Sequence, residues 1–307
     1  MKLLLVLVFL ISLNPSSLVT AFDTTPATTS VPCSANSTGF NNVCYRAVNT
    51  SANWTNAAID CINQGGNLVS VSSDSVNSFL VNLTEQQFGT STRFWIGGSS
   101  SISDNSSWAW IDGNNMNYTN WAIGRPRNIS AYDSLEMHTP SGKWYDTPGE
   151  AILPYVCEVP PAGATNPCYD NWSYYAPANK CYRVITKKNT FKNQQSNCYS
   201  FGGDLVSIHS SGENFFVGAI ATKALNYTSQ EVFIGLRFND FDNWIWVDGT
   251  SLNWVPNNFT DVDYSGYSGL LETWPTKSKF LWDYDYTSSI HPAICESDPS
   301  FMKKEKK

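Results

Sequence analysis

The residues best suited to acid–base chemistry are few and scattered. The chain has three histidines, which are His138, His209 and His291. None of them lies in a metal-binding, nucleophile-elbow or Cys-x-x-Cys motif. The acidic pairs Asp240/Asp242 and Asp261/Asp263 could serve a hydrolase, but acidic residues so close together in loops are usually solvated. We therefore predict that the protein is not an enzyme.

The eight cysteines form two quartets with matching spacing. They are Cys33, Cys44, Cys61 and Cys157, followed by Cys168, Cys181, Cys198 and Cys295. The two quartets are offset by 135 to 138 residues, which indicates two copies of a whole globular domain. If each quartet is self-contained, three pairings per domain remain.

The gaps within the quartets favour one pairing. The first two cysteines are 11 or 13 residues apart, whereas the last two are 96 or 97 apart. This spacing favours a small hairpin bridge and a long staple from an early helix to the last strand. The predicted bonds are Cys33–Cys44, Cys61–Cys157, Cys168–Cys181 and Cys198–Cys295.

The N-terminal segment predicts export into an oxidising compartment, where disulfides form. Lys2 precedes an apolar run that is too short to span a bilayer, and Ala21 ends a suitable cleavage site. We predict a signal peptide over residues 1–21, a Thr/Ser/Pro-rich spacer over 22–32 and a secreted, extracellular protein without a membrane anchor. The alternative for the apolar run is a core strand or an uncleaved anchor.

Ten Asn-x-Ser/Thr sequons agree with export, and each one predicts that its asparagine lies on the surface. They are Asn36, Asn49, Asn53, Asn82, Asn105, Asn117, Asn128, Asn171, Asn226 and Asn258.

The net charge of −7, with no basic cluster, argues against nucleic acid or an anionic membrane as a partner. The aromatic content of 14% is high, and exposed aromatic rings bind sugars and protein surfaces alike.

In each predicted domain, helices come early in the sequence and strands come late. Residues 56–64 read as a helix that carries Cys61 and stops at two glycines. Residues 75–88 read as a second helix with one apolar face, formed by Val76, Phe79, Leu80 and Leu83. The segments that follow read as strands, so we predict an α+β fold with antiparallel sheets. The predicted domains are 33–158 and 168–296, joined by a linker over 159–167 and followed by a basic tail over 297–307.

Short motifs recur in the same order in both copies. They are Cys44-Tyr45-Arg46 and Cys181-Tyr182-Arg183, Gly66–Val71 and Gly203–Ile208, Trp95-Ile96-Gly97 and Phe233-Ile234-Gly235, and Trp110–Gly113 and Trp246–Gly249. Both halves thereby resemble the C-type lectin-like domain, and the chain is similar to tandem secreted proteins of this family in nematodes. The resemblance implies, in each domain, two antiparallel sheets, two helices and a long loop for ligand recognition.

Sugar-binding members of this family hold Ca²⁺ in the long loop through a proline triplet, a downstream Glu and a strand triplet. In the first domain the proline triplet reads Arg125-Pro126-Arg127, the downstream position falls at Tyr132, and only Asp146 remains from the strand triplet. Two guanidinium groups repel a divalent cation. The first domain is therefore predicted to hold no Ca²⁺.

The second domain keeps more oxygen ligands. Pro256 is followed by Asn257, and Asp261, Asp263 and Asp283 lie close in sequence. These four side chains are weak candidates for a rearranged Ca²⁺ site, but we favour a solvated acidic loop and predict no cofactor.

These observations predict a secreted, non-catalytic recognition protein for glycan or extracellular protein ligands, without the family's usual Ca²⁺ coordination. A role in innate defence follows from the resemblance alone. Two alternatives stay open: a Ca²⁺-dependent carbohydrate-binding lectin that acts through the second domain, and an extracellular structural component.

Overall fold

The computed structural model describes residues 32–302 apart from 101–106, 170, 240, 242, 257–258, 260–265 and 274–279. The predicted signal peptide and nearly all of the spacer therefore lie outside the described residues, as do Asn105, Asn257, Asn258, Asp261 and Asp263. The basic residues at positions 303–307 lie outside them too.

The first domain forms one sheet with two helices. Its elements are β1 (Thr38–Phe40), β2 (Val43–Ala52), α1 (Trp54–Asn63), β3 (Asn67–Leu68), α2 (Asp74–Phe88), β4 (Arg93–Ser100), β5 (Trp108–Trp110), β6 (Ser134–His138), β7 (Lys143–Thr147) and β8 (Leu153–Val159). The strand order is β1-β2-β8-β4-β6-β7, with β3 on β8 and β5 on β4. All pairs are antiparallel except β4 with β8, which run parallel at Trp95 and Tyr155.

The second domain repeats this plan. Its elements are β9 (Ser173–Tyr175), β10 (Lys180–Asn189), α3 (Phe191–Ser200), β11 (Asp204–Leu205), α4 (Ser211–Ala224), β12 (Gln230–Phe238), β13 (Trp244–Trp246), β14 (Tyr267–Thr273), β15 (Trp282–Tyr286), β16 (His291–Ser297) and a short α5 (Pro299–Met302). The strand order is β15-β14-β12-β16-β10-β9. The predicted α+β fold in two tandem copies is confirmed, with one continuous sheet in each domain instead of two.

Side-chain caps fix the starts of the first domain's helices. Asn53 Oδ1 accepts the N–H of Asn56 at 2.8 Å, so α1 begins at Trp54, two residues before the predicted start. Ser73 Oγ accepts the N–H of Val76, and α2 covers the whole predicted span and begins one residue earlier. Of its predicted apolar face, three side chains are buried and Phe79 is half-buried.

All four predicted disulfides are present. Cys33–Cys44 and Cys168–Cys181 close the N-terminal hairpins, and the remaining two bonds staple α1 to β8 and α3 to β16. The closing strands end at Val159 and Ser297, one residue beyond the predicted domain boundaries.

The glycine that follows each of the helices α1 and α3 is required by close packing. A Cβ on Gly66 would overlap the carbonyl oxygen of Glu158, and one on Gly203 would overlap that of Glu296. The backbone after each helix can therefore lie against the last strand only if this residue has no side chain.

The two domains share part of their hydrophobic core. Helix α1 of the first domain packs on α4 of the second, where the rings of Trp54 and Phe215 meet edge to face at 5.2 Å. Trp54 is fully buried, and its Nε1 donates to the carbonyl of Ile96 at 2.9 Å. One continuous cluster of buried residues therefore spans both domains.

Candidate functional site

In the long loop of the first domain, two arginines enclose a buried aspartate. The Arg125–Pro126 peptide bond is cis. Arg125 Nη1 donates to Asp146 Oδ1 at 2.6 Å and to the backbone carbonyl of Asp146 at 2.9 Å. The backbone N–H of Arg127 donates to Asp146 Oδ2 at 2.9 Å. Both carboxylate oxygens of this fully buried aspartate are therefore engaged.

This arrangement places a guanidinium group where the family's metal ligands would converge. A divalent cation at Asp146 would have to displace Arg125 from a buried, charge-assisted hydrogen bond, which is among the stronger polar contacts in proteins. The residues of this loop therefore do not fit Ca²⁺. The guanidinium of Arg127 points elsewhere and lies 4.1 Å from the ring centre of Tyr132, so the exposed edge of the loop is cationic and aromatic.

The second domain carries an aromatic side chain at the matching strand position. In the first domain Asp146 pairs with Leu135, and in the second Tyr284 occupies the same register opposite Gly269. Tyr284 and Tyr286 are 38% and 57% exposed. The strand that supplies a buried carboxylate in one domain supplies exposed phenol rings in the other.

These tyrosines belong to a continuous cluster, which we call the aromatic surface of the second domain. Its members are Trp244, Phe259, Tyr267, Tyr284 and Tyr286. Tyr267 stacks on Tyr286 with ring centres 4.7 Å apart and meets Tyr284 edge to face at 5.2 Å. Phe259 and Trp244 lie about 6 Å behind Tyr284, with ring centres at 6.0 and 6.3 Å. The rings hold one another in place, which reduces the entropy lost when a ligand docks on them.

Acidic side chains lie on the other face of β15. His291 Nε2 and Asp285 Oδ2 are 2.9 Å apart. Burial favours the protonated form of Asp285, but hydrogen bonds from His291 and from the N–H of Tyr286 outweigh it and hold its pKa below the ordinary value. The half-buried Asp283 accepts the N–H of Tyr284 at 2.8 Å. Asp285 is thus hydrogen-bonded to His291. Of the four predicted metal candidates, Asp283 is the one that the structure describes.

Of the other loop residues proposed for the second domain, Pro256 is buried and Asn257 lies outside the described residues. Within the described part of the chain, no three His, Cys, Asp or Glu side chains come together as a metal site. In the same part, no helix has the length and apolar character needed to cross a membrane.

Comparison with known proteins agrees with this geometry. A profile described as "Lectin C-type domain" matches residues 50–159 and again 187–297. The protein belongs to the C-type lectin family. Both matched segments end on the closing strands of the two sheets, so each copy of the lectin domain corresponds to one structural domain.

Among C-type lectin relatives, human lymphocyte antigen 75 is 31% identical over 76% of this chain and 14% of its own length. Human C-type mannose receptor 2 is 27% identical over 82% of this chain and 17% of its own length. The chain therefore spans about a sixth of the length of these relatives. Among solved structures, human lithostathine aligns at 26% identity with 43% of this chain and 92% of its own, with a TM-score of 0.40.

The sequons of this C-type lectin are mostly on the surface. Seven of them are exposed: Asn36, Asn49, Asn82, Asn117, Asn128, Asn171 and Asn226. Asn53 is half-buried, and the two residues that complete its sequon are fully buried. Exposed sequons can accept a glycan without loss of packing, whereas Asn53 is occupied as a helix cap.

Each lectin domain also contains a carboxylate group that motif analysis missed. In the first domain Ser70 Oγ donates to Glu158 Oε1 at 3.4 Å, and Asn114 Nδ2 donates to both Ser70 Oγ and Asp112 Oδ2. Burial, together with the neighbouring Asp112 carboxylate, raises the pKa of Glu158 to about 8. Among the described residues, no cation pairs with Glu158.

The second lectin domain has the same group with a counter-ion. Ser207 Oγ lies 3.0 Å from Glu296 Oε1 and 2.8 Å from Asp248 Oδ2, and Lys180 Nζ donates to Glu296 at 2.9 Å. Burial raises the pKa of Glu296 to about 7 against the opposing effect of the Lys180 ammonium. Val43 stands at the position of Lys180 in the first domain. The sequence signal for this group was present, since the serine lies within a repeated motif and the glutamate follows the last cysteine in each copy.

Proposed function

We propose that this protein is a secreted, non-catalytic recognition protein that binds glycan or extracellular protein ligands without Ca²⁺ coordinated in the long loop of its first domain. The observation that carries the proposal is the 2.6 Å contact between Arg125 and the buried Asp146. The Arg125 guanidinium thereby provides a positive charge at the position where sugar-binding family members hold Ca²⁺. The four disulfides support an extracellular location; a role in innate defence stays a prediction.

The aromatic surface of the second domain is the proposed ligand-contacting face. Tyr284 and Tyr286 project from β15 next to a half-buried Tyr267. Rigid tyrosine rings provide large contact areas at low entropic cost, and interface hot spots are enriched in Tyr and Trp. The same rings can stack on sugar faces or anchor a protein loop, so both ligand classes stay within the proposal.

A glycan array and an extracellular-protein array, each probed with the full chain in Ca²⁺ and again in chelator, test this function. We expect the same ligands to be retained with equal strength in both conditions. Binding that disappears in chelator would instead favour the alternative, a Ca²⁺-dependent lectin that acts through the second domain.

A variant pair locates the contact. The double substitution Tyr284→Ala/Tyr286→Ala is expected to weaken binding by at least about 30-fold, because the loss of even one central aromatic anchor costs roughly 2 kcal/mol or more. Tyr227→Ala, which removes a similarly exposed tyrosine after α4, is the matched control and should bind like wild type. Equal affinity of all three proteins would remove the aromatic surface from the proposal.

A further inference from the structure

A cleft opens at the junction of the two domains. Its volume is about 770 Å³, and it is lined by residues 62–67 at the C-terminal end of helix α1 and just beyond it, by the linker over 159–167 and by residues 172–177 around β9. Ligand pockets usually measure about 300–1,000 Å³ and often lie between domains. The cleft is thus large enough for a ligand of two or three sugar rings.

Among the described residues that line this cleft, Arg46 is the one with a charged side chain. Its Nη1 donates to Gln64 Oε1 at 2.8 Å, and Gln64 Nε2 in turn donates to Asp60 Oδ2 at 2.6 Å. Asp60 also accepts the hydroxyl of Tyr155 at 2.8 Å. The guanidinium is therefore positioned by a neutral amide, and among the described residues no carboxylate forms an ion pair with it.

The counterpart of Arg46 in the second domain has a different environment. Arg183 lies 4.1 Å from the ring centre of Phe201, which occupies the position of Gln64. A ring that covers the guanidinium satisfies it by a cation–π contact. A half-buried arginine held by an amide instead keeps donors for an anion, and arginine is well matched to a carboxylate because it can donate two parallel hydrogen bonds.

The remaining walls are neutral, with amides and aromatic rings. Asn63, Gln64 and Asn67 contribute amides, and Asn67 Oδ1 is buried with no hydrogen-bond partner among the described residues. Trp172 and Tyr174 also line the cleft. Amides that both donate and accept are suited to hydroxyl groups, and aromatic rings provide apolar faces for sugar rings.

We propose that the cleft between the domains binds an acidic saccharide, with its carboxylate on Arg46 and its hydroxyl groups on the amides of the α1 end. The described lining residues include one cation and no acid, which predicts a ligand with one negative charge. The dense amides favour a hydroxyl-rich ligand over a peptide. This site is independent of the long-loop surfaces in the proposed function, and neither site requires the other.

The test is calorimetric titration of the full chain with sialyllactose, with a glucuronate-containing disaccharide and with lactose as the neutral control. The titrations use an Asn171→Gln background, because Asn171 is an exposed sequon beside the cleft and its own glycan could fill it. We expect saturable binding of at least one acidic saccharide and no measurable binding of lactose.

Three variants assign the contact. Arg46→Gln should weaken acidic-saccharide binding about 10- to 100-fold, as expected for a lost charge-assisted hydrogen bond. Arg46→Lys should retain part of the affinity, and Arg183→Gln should retain all of it. Thermal unfolding of each variant in the absence of saccharide shows whether the fold is intact, and Tyr174→Ala provides a second contact variant that leaves the Arg46 network in place.

Several outcomes would overturn the proposal. One is no saturable binding of either acidic saccharide at roughly 10 mM, where even millimolar affinity would be visible. A second is that lactose binds as tightly as the acidic saccharides. A third is that Arg46→Gln and Tyr174→Ala both bind the acidic saccharide as tightly as wild type, and a fourth is that an acidic peptide of higher affinity displaces it. Loss of binding in Tyr284→Ala/Tyr286→Ala would place the saccharide on the aromatic surface instead.

Discussion

Strand β7 of the first domain and strand β15 of the second share one register, but their side chains at the matching position differ in charge and exposure. In the first domain this strand buries Asp146 beneath Arg125, and the site is closed by internal hydrogen bonds. In the second, Tyr284 and Tyr286 face solvent. Since the scaffold around them is the same, the difference lies in the side chains of a few strand and loop positions, and we expect these positions to determine what each domain can bind.

The buried carboxylates extend the comparison into the core. Glu296 is paired with Lys180, whereas Glu158 shares its site with Asp112 and has no cation among the described residues. The first domain therefore has an ion pair in its long loop and a largely buried acid without a cation, whereas the second has tyrosines on the loop strand and an ion pair at the matching acid. The predictions that follow test this contrast, from the largest expected effect to the smallest.

Removing the long-range disulfide of either domain tests a feature that the two domains share. Cys61→Ser/Cys157→Ser and Cys198→Ser/Cys295→Ser open loops of 96 and 97 residues. Each pair should lower the free energy of unfolding by about 4 kcal/mol, measured by urea denaturation of the full chain. Losses that differ by more than about 1 kcal/mol would contradict the loop-entropy explanation, which depends only on loop length.

Removing Arg125 tests the closed loop of the first domain. Arg125→Met leaves the buried Asp146 carboxylate without its cation, and we expect a loss of about 3 kcal/mol in the free energy of unfolding. The double variant Arg125→Met/Asp146→Leu removes both charges and should recover most of this stability. If the single variant is as stable as wild type, Asp146 does not depend on Arg125.

The core acids should make stability depend on pH. Because the pKa of Glu158 is raised from 4.5 to about 8, the folded protein binds more protons than the unfolded chain within that window. The free energy of unfolding should therefore fall as pH rises through it. Since Glu158 is partly exposed, solvent screening limits the loss to on the order of 2 kcal/mol.

Two variants measured by thermal unfolding across this pH range assign the effect. Glu158→Gln should reduce the pH dependence, because the amide does not titrate. Lys180→Val copies the first domain's Val43 into the second domain and should increase the pH dependence. A pH profile that Glu158→Gln leaves unchanged would show that other groups cause it.

The smallest expected difference concerns the starts of the first helices. Asn53 caps α1 with its side chain, whereas Thr190 at the start of α3 makes no side-chain cap hydrogen bond. Asn53→Ala should cost about 1 kcal/mol and Thr190→Ala only a few tenths. Unfolding of unglycosylated protein is the suitable measurement, because Asn53 also belongs to a sequon. Equal losses would mean that the cap hydrogen bond contributes little.

Local patterns predicted much of the fold: repeated cysteine spacing indicated two domains and four disulfides, and an apolar face and a glycine stop indicated the two helices of the first domain. They could not predict that Trp54 is buried between the domains, because that contact joins surfaces far apart in sequence. The arginines at 125 and 127 were expected to repel a metal. What the sequence could not show is that one of them donates to Asp146 through its side chain and the other through its backbone.

The shared core at α1 and α4 has a consequence for avidity. With the two domains packed through Trp54 and Phe215, the aromatic surface and the first domain's loop keep a set separation and orientation. A flexible tether would let two modules engage sites at many spacings, whereas a fixed pair gains from a second contact only when the target presents its sites at the matching distance. We therefore expect the buried helix contact to favour targets whose binding sites are spaced to match the two domains.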